Sequence, residues 1–139
     1  MIAYVDASVL LRLALGQPHA LREWRQIEQG VSSTLITTES LRTLDRLRLR
    51  TRLADREIAT RRATVLSLIA SLDLVDVDAA VLAHAAQPMP TELGTIDAIH
   101  LATALLWMDS TGERLVMATH DQALAVAAEA HGLPVIGAS

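Results

Sequence analysis

Residues 2–15, IAYVDASVLLRLAL, join a short apolar strand to an apolar helix with a single acid between them. The strand is predicted over residues 2–5, and the helix continues to Leu15, where Gly16 ends it. Asp6 therefore stands at the carboxyl end of the strand. In an open α/β sheet, ligands bind in the crevice just beyond these strand ends. The stretch predicts an α/β sheet with a candidate functional carboxylate at its edge.

Strands and helices alternate along the rest of the chain. Further strands are predicted over residues 31–35, 72–77, 115–119 and 133–136. Helices are predicted over residues 19–29, 38–53, 55–71, 78–87, 95–110 and 121–130, with Gly30 ending the first and a Pro-containing loop over 88–94. No two-residue hairpin separates the strands, which favours a parallel sheet covered on both faces. We therefore expect a single three-layer α/β domain over residues 1–139, with a central, mainly parallel sheet of about five strands.

The composition excludes several classes of protein. The chain has no cysteine, which excludes disulfides and thiolate zinc sites and fits a reducing, cytoplasmic location. No apolar run approaches the roughly 20 residues of a membrane-spanning helix, and no basic leader precedes the first strand. The net charge is −4, yet eight of the twelve arginines lie between residues 42 and 62. Such a basic flank can attract a polyanion to an acidic protein.

Three further acids occupy positions comparable to that of Asp6. Glu39 follows the predicted strand near residue 35, Asp97 opens the apolar stretch 98–108, and Asp121 follows the strand that ends at residue 119. Taken singly, each is better explained as a helix cap, because Asp and Glu stabilise the first turn of a helix. Taken together, the four acids favour convergence on one site.

Two acids that also precede helices, Asp55 and Asp78, are assigned to capping alone. Asp97 differs from them because its helix is apolar nearly all round, which implies burial. A buried carboxylate is costly unless it is paired, hydrogen-bonded or bound to metal. No arginine lies between Arg62 and Arg114 to supply a nearby cation.

A cluster of carboxylates predicts a bound divalent cation, because attraction to the cation offsets the repulsion among the carboxylates. Oxygen ligands favour Mg²⁺ or Mn²⁺ over zinc, which prefers His or Cys. Such ions activate water for phosphodiester hydrolysis. Two other phosphoryl-transfer classes fit less well. A phospho-acceptor signalling domain generally has a lysine near its pocket, and this chain has none; a phosphatase with an Asp-x-Asp motif would need an acid where Ser8 stands.

Four segments resemble the PIN-domain ribonucleases, in particular the VapC-type toxins of bacterial toxin–antitoxin pairs: YVDASVLLRLAL, TTESLRTLDR, TIDAIHLATALL and MATHDQALA. They occur in the family's order and approximate spacing, and they span almost the whole chain. The resemblance matches Asp6, Glu39, Asp97 and Asp121 to the family's acidic quartet. It also implies that Ser8 and Thr119 are hydroxyls that support the ligands or water.

The resemblance further implies Mg²⁺- or Mn²⁺-dependent endonucleolytic cleavage of RNA, a PIN-like fold and a homodimer. It also implies inhibition by a small cognate antitoxin that inserts a basic side chain into the acidic pocket. The alternative is a catalytically silent PIN-like module that binds RNA or protein. Retention of all four acids argues against that alternative.

Several other side chains lie close in sequence to these acids. Arg42, Arg46 and Arg50 repeat every four residues and form one row on a helix, either a solvated face or a track for RNA phosphates. The same row is also a candidate surface for the antitoxin. His100 lies on the same helix face as Asp97. It is either a buried core residue or a residue that contacts the site. The same two interpretations remain open for His120.

Overall fold

The computed structural model describes residues 1–138, in which strands and helices alternate. The strands are β1 (Ile2–Val5), β2 (Gln29–Ser33), β3 (Asp73–Val75), β4 (Val116–Ala118) and β5 (Val135–Ile136). The α-helices are α1 (Ala7–Ala14), α2 (Leu35–Thr51), α3 (Asp55–Ala70), α4 (Ala79–Ala85), α5 (Thr95–Thr111) and α6 (Gln122–Ala130), with a short 3₁₀ helix at Arg22–Gln26. The predicted alternation of strands and helices is confirmed.

The sheet is parallel throughout and has the strand order β3-β2-β1-β4-β5. β1 is the central strand: Tyr4 is in register with Val31 of β2 on one side and with Met117 of β4 on the other. The chain adds β2 and β3 on one side of β1 and then crosses over to add β4 and β5 on the other. A crevice opens at such a reversal of strand order, beyond the carboxyl ends of the strands. The fold therefore makes the end of β1 the expected binding position.

Side chains of β1 alternate between the two faces of the sheet, as the period of a strand requires. Ala3 and Val5 pack into one buried cluster with side chains of α1, α2 and α3. Tyr4 packs into the opposite cluster with side chains of α5 and α6. Helices thus cover both faces, and the expected three-layer α/β architecture is confirmed.

The prediction of a helix over residues 19–29 is wrong. Only Arg22–Gln26 is helical, as a single 3₁₀ segment, and His19 has a left-handed backbone with φ of +61°. Pairing with β1 draws Gln29 and Gly30 into β2, so Gly30 does not end a helix. A Cβ on Gly30 would lie 2.6 Å from Leu72 Cδ2, so any larger residue there requires the Leu72 side chain to move. Tertiary packing has overridden the local helical pattern.

The remaining boundaries differ from the predictions by a few residues. α2 begins at Leu35, and α5 begins at Thr95 with Gly94 as its N-cap. β1 has the predicted bounds and β2 is shifted by two residues toward the N-terminus, whereas β3, β4 and β5 are shorter than predicted. Among the helices of residues 1–138, none has the length and apolar character needed to cross a membrane.

Replacing Gly30 by valine is expected to lower the free energy of unfolding by about 1–3 kcal/mol, because the new side chain collides with Leu72 in a filled core. Gly94→Ser is the matched control, since nothing lies within 4 Å of a Cβ at Gly94 and serine is a good N-cap. Urea denaturation followed by circular dichroism measures both changes. Equal midpoints for the two variants would contradict this account of Gly30.

Candidate active site

Asp6 lies directly beyond β1, at the reversal of strand order, and is only 3% exposed. Its backbone N–H donates to the carbonyl of Ala118, which extends the pairing of β1 with β4 by one residue. Its Oδ1 accepts a hydrogen bond of 2.8 Å from the N–H of Ala7 and so caps α1. The sheet and the helix together fix this carboxylate at the bottom of the crevice.

Two hydroxyl groups hold the other oxygen of Asp6. Ser8 Oγ donates to Asp6 Oδ2 at 2.7 Å, and Thr119 Oγ1 donates to the same atom at 2.8 Å. Each hydroxyl also accepts a backbone N–H: Ser8 from His120 at 2.9 Å, and Thr119 from Asp121 at 2.9 Å. The two hydroxyls predicted to support the site therefore tie the end of β4 to the start of α1 through Asp6.

Glu39 reaches the same place from α2, the helix that follows β2. Its Oε1 lies 2.7 Å from His100 Nε2 on α5. His100 is completely buried, and its other ring nitrogen, Nδ1, lies 2.6 Å from the hydroxyl of Tyr4. A chain of hydrogen bonds thus connects the middle of β1 to Glu39 through a histidine.

The partners of His100 define which nitrogen carries hydrogen. A carboxylate can only accept, so Nε2 carries the hydrogen and donates to Glu39. Burial of Tyr4, together with nearby negative charge, raises the pKa of its phenol, so Tyr4 keeps its proton. Burial opposes protonation of His100, but the hydrogen bond that it donates to Glu39 and the charges of Glu39, Asp6 and Asp97 prevail and raise the pKa of the imidazole. His100 therefore presents a hydrogen, not a lone pair, to Glu39.

Asp97 occupies the first turn of α5, one turn before His100. Partial burial, followed by the charges of Asp121 and Asp6, raises the pKa of the Asp97 carboxyl to about 6. The charge of Glu39 acts in the same direction and that of His100 in the opposite one. The charges of the other three predicted acids therefore all act on Asp97.

Asp121 also serves as a helix cap. It is the N-cap of α6, and its Oδ1 accepts from the N–H of Leu124 at 2.9 Å. Asp78, assigned to capping alone, accepts from Val81 N–H in α4 at the same distance. The difference lies in the surroundings, because the charge of Asp121 raises the pKa of Asp97.

Cations are scarce around these acids. Within residues 1–138, no arginine lies within ion-pair distance of Asp6, Glu39, Asp97 or Asp121; His100 is their only ion-pair partner. His100 Nε2 lies 4.0 Å from Asp6 Oδ1. One ligand atom each of Asp6, Glu39 and His100 lies within 4.8 Å of the others. The group holds two carboxylates, those of Asp6 and Glu39, whose oxygens suit a hard divalent cation, while Asp97 and Asp121 lie outside it.

The structure locates three further side chains: His100 and His120, whose roles the sequence did not decide, and Tyr4, which the sequence did not indicate. Tyr4 was not predicted, although a buried tyrosine at a central strand position needs a partner for its hydroxyl. His100 is both a core residue and the partner of Glu39. The ring of His120 instead contacts the C-terminal strand, where its Nδ1 lies 2.8 Å from the carbonyl of Gly137.

The arginine row lies on the exposed surface of α2. Arg42 pairs with Asp45 within the helix at 3.3 Å, and Arg46 donates to the hydroxyl of Thr43 at 3.2 Å. Arg50 is exposed near the end of the helix. The row is thus a solvated face on the helix that also carries Glu39.

Residues 3–130 match the family described as PIN domain, and the chain belongs to that family. A VapC-type relative is also found: Ribonuclease VapC46 of Mycobacterium tuberculosis (strain ATCC 25618 / H37Rv) is 37% identical over 139 residues, which cover 98% of this chain and 97% of that protein. The likeness to VapC-type ribonucleases expected from the four segments is confirmed.

A solved structure has the same fold. The crystal structure of PAE2754 from Pyrobaculum aerophilum superimposes with a TM-score of 0.59 over 96% of this chain and 83% of that one. The two sequences are 22% identical, so this likeness concerns the arrangement of strands and helices alone.

The raised pKa of Asp97 predicts a specific dependence of stability on pH when a chelator is present. The carboxyl titrates near 3.8 in the absence of the fold and near 6 within it, so the folded chain binds more protons between these values. The contribution of Asp97 to the free energy of unfolding therefore falls as the pH rises from about 4 to about 6 and stays low above that. The free energy of unfolding of Asp97→Asn minus that of wild type should therefore increase as the pH rises from 4 to 7.

Asp45→Asn is the control of opposite sign. A hydrogen bond from Arg48 lowers the pKa of Asp45, so loss of that carboxylate should make the variant less stable at pH 7 than at pH 4, relative to wild type. Urea midpoints at several pH values measure both trends. Parallel pH profiles for wild type and Asp97→Asn would refute the effect of burial and neighbouring charge at Asp97.

Proposed function

We propose that this protein is a Mg²⁺- or Mn²⁺-dependent endoribonuclease toxin held inactive by a cognate antitoxin. The observation that carries the proposal is the buried carboxylate cluster at the carboxyl end of β1 in a chain of the PIN-domain family. The similarity to a protein named Ribonuclease VapC46 over nearly the whole chain supports RNA as the substrate.

Asp6, Glu39, Asp97 and Asp121 are the residues that would hold the cation. When bound, Mg²⁺ or Mn²⁺ supplies Lewis-acid activation of water and neutralises charge on the phosphodiester. The donor set favours these ions because it is built from carboxylate oxygens, and the one histidine nearby directs a hydrogen toward Glu39. The raised pKa of Asp97 means that cation binding must displace a proton from this carboxyl below about pH 6.

The side chains around these carboxylates supply orientation. Ser8 and Thr119 occupy Asp6 Oδ2 and so fix the plane of that carboxylate. His100 fixes Glu39 in the same way through Oε1, leaving Oε2 free to bind. The hydrogen-bonded network from Tyr4 to Glu39 is buried, so the acids enter the reaction already aligned.

A dimer, an antitoxin and a cytoplasmic location belong to the same proposal, as does a single domain over residues 1–139. The exposed apolar side chains of Leu82 on α4 and Ile96 on α5 offer surface for a second copy of the chain. The acidic centre offers a counter-charge for a basic side chain of the antitoxin. The absence of cysteine fits a reducing compartment.

RNA cleavage tests the acids directly. Asp6→Asn and Asp97→Asn should each lower kcat/KM on single-stranded RNA with Mn²⁺ by at least about 100-fold, because each removes a charge from the cation site. Asp78→Asn is the control, since Asp78 caps a helix outside the site with the same bond as Asp121. It should retain cleavage within about threefold of wild type.

Two outcomes would reject the proposal in different ways. Cleavage that persists undiminished in excess chelator would exclude the metal-dependent mechanism. Folded wild-type protein that cuts none of a varied set of RNAs with either ion would favour the catalytically silent binding module.

The bond from His100 to Glu39 predicts a defect in cation binding. His100→Gln should weaken Mn²⁺ binding by about 10- to 100-fold, as loss of a residue that orients a ligand does. Tyr4→Phe should weaken it less, because the imidazole keeps its bond to Glu39. His131→Gln, at an exposed histidine that ends α6, is the control. Isothermal titration calorimetry reports the affinities, and an unchanged affinity in His100→Gln would contradict the assignment.

The arginine row of α2 remains a candidate track for RNA phosphates. Replacing Arg42, Arg46 and Arg50 together by glutamine should weaken RNA binding and reduce the slope of log K against log salt by about 0.7 per lost phosphate contact. The control removes three other exposed charges, at Arg56, Arg62 and Arg114. Equal losses in the two triple variants would mean that overall charge, and not the row, attracts RNA.

A further inference from the structure

A polar cavity of about 420 Å³ opens beside the carboxylate centre, on the side of β5. We call it the cationic cavity; its charged and titratable lining residues are Arg12, His19, Arg22, Glu23 and His120, and the backbone at Gly137 forms part of its wall. Its volume lies within the range of about 300–1,000 Å³ that is usual for ligand sites. Two arginines and two histidines face a single acid, so the lining favours an anion.

Hydrogen bonds connect the wall of the cationic cavity to the carboxylate centre. The backbone N–H of His120 donates to Ser8 Oγ at 2.9 Å, and Ser8 in turn donates to Asp6. Arg12 lies four residues after Ser8 on α1, on the same face of the helix. His120 and Ser8 therefore link one wall of the cavity to Asp6.

The two arginines of the cavity have free charges. Within residues 1–138, neither Arg12 nor Arg22 lies within ion-pair distance of a carboxylate, whereas Arg48 and Arg61 pair with acids on their own helices. Arg12 Nη1 donates to the carbonyl of His19 at 3.3 Å, which anchors the guanidinium at the cavity wall and leaves its other donors available. Unpaired guanidinium groups in a concave site bind phosphate oxygens well, because their planar arrangement of donors matches them.

The backbone of the cavity wall is held in uncommon conformations. His19 has φ of +61°, which costs energy in a residue with a side chain, and such strain clusters at functional sites. Gly137 has φ of +96°, and a Cβ there would lie 2.7 Å from the carbonyl oxygen of Thr119. This close approach lets His120 Nδ1 bond to the carbonyl of Gly137. The end of β5 and the segment that carries Thr119 are thereby locked together along one edge of the cavity.

We infer that the cationic cavity binds the RNA phosphate adjacent to the one that is cleaved. The inference rests on the proposed function, because it takes the carboxylate centre as the place where the scissile phosphate lies. The acids repel RNA until a cation is bound, so a nearby cationic group is needed to hold the strand in register. Arg12 and Arg22 supply that group, and the link from the cavity wall through His120 and Ser8 to Asp6 favours a phosphate next to the scissile one.

The test combines variants of the cavity with chemically altered RNA. Arg22→Gln is the principal variant, because Arg22 is exposed and its removal spares the core; Arg12→Gln is the second. Each should weaken binding of a labelled single-stranded RNA by roughly 10-fold in fluorescence anisotropy, measured with Ca²⁺ in place of Mn²⁺ so that the acids hold a cation while cutting is suppressed. Arg25→Gln, on the same 3₁₀ helix but outside the cavity lining, is the matched control and should change affinity less than twofold.

A scan with single methylphosphonate linkages, which carry no charge, then locates the contact. With wild-type protein, the linkage next to the cleavage site should weaken binding by about the same factor as Arg22→Gln. In Arg22→Gln, that same neutral linkage should cost little more, because its partner is already gone. If Arg22→Gln and the neutral linkage weaken RNA binding by independent factors at every position of the linkage, the assignment is overturned.

Failure of this inference is distinguishable from failure of the proposed function. Wild-type protein that cleaves RNA with Mn²⁺, together with equal RNA affinities for Arg22→Gln and Arg25→Gln, would overturn the cavity assignment alone. Wild-type protein that neither binds nor cleaves any RNA would overturn both.

Discussion

The repulsion among buried carboxylates at the end of β1 is the constraint on which the site depends. Asp6 is almost fully buried, and the charges of Asp6, Glu39 and Asp121 all raise the pKa of Asp97. A folded chain holds such a group together only where hydrogen bonds and a counter-charge offset the repulsion. Here hydroxyls hold Asp6 and an imidazole holds Glu39. The repulsion among these carboxylates is unfavourable in the folded protein, and a bound cation would offset it.

The topology explains why this place is the end of β1. Because the chain builds the sheet outward from β1 in both directions, the segments that follow β1, β2 and β4 all leave from the same edge. Asp6, Glu39 and Asp121 are carried by those three segments, and Asp97 arrives on the helix that crosses back over the sheet. Central β1 has a strand on each side, so its carboxyl end is enclosed, whereas the ends of β3 and β5 lie at the margins of the sheet.

Much of the candidate site could be predicted from sequence, because its acids lie directly after an apolar strand or at the start of an apolar helix. That local pattern is sufficient for Asp6 and Asp97. The pairing of Glu39 with His100 could not be predicted, since 61 residues separate them and both α2 and α5 must be placed before their side chains meet. Pattern also failed at residues 19–29, where pairing with β1 outweighed the local helical preference. The cationic cavity likewise joins α1 to the C-terminal strand, far apart in the chain.

The sequence by itself determined the fold class, the parallel sheet and the positions of the acids along the chain. These properties follow from short-range periodicity: alternation of strands with helices permits few other arrangements of apolar surface. Only the tertiary structure decided the strand order and the hydrogen-bonded alignment of Tyr4, His100 and Glu39. It also decided that Arg12 and Arg22 have no ion-pair partner among residues 1–138. The physical reason is that hydrogen bonds and charge pairing depend on distances of a few ångströms between segments, which no local pattern encodes.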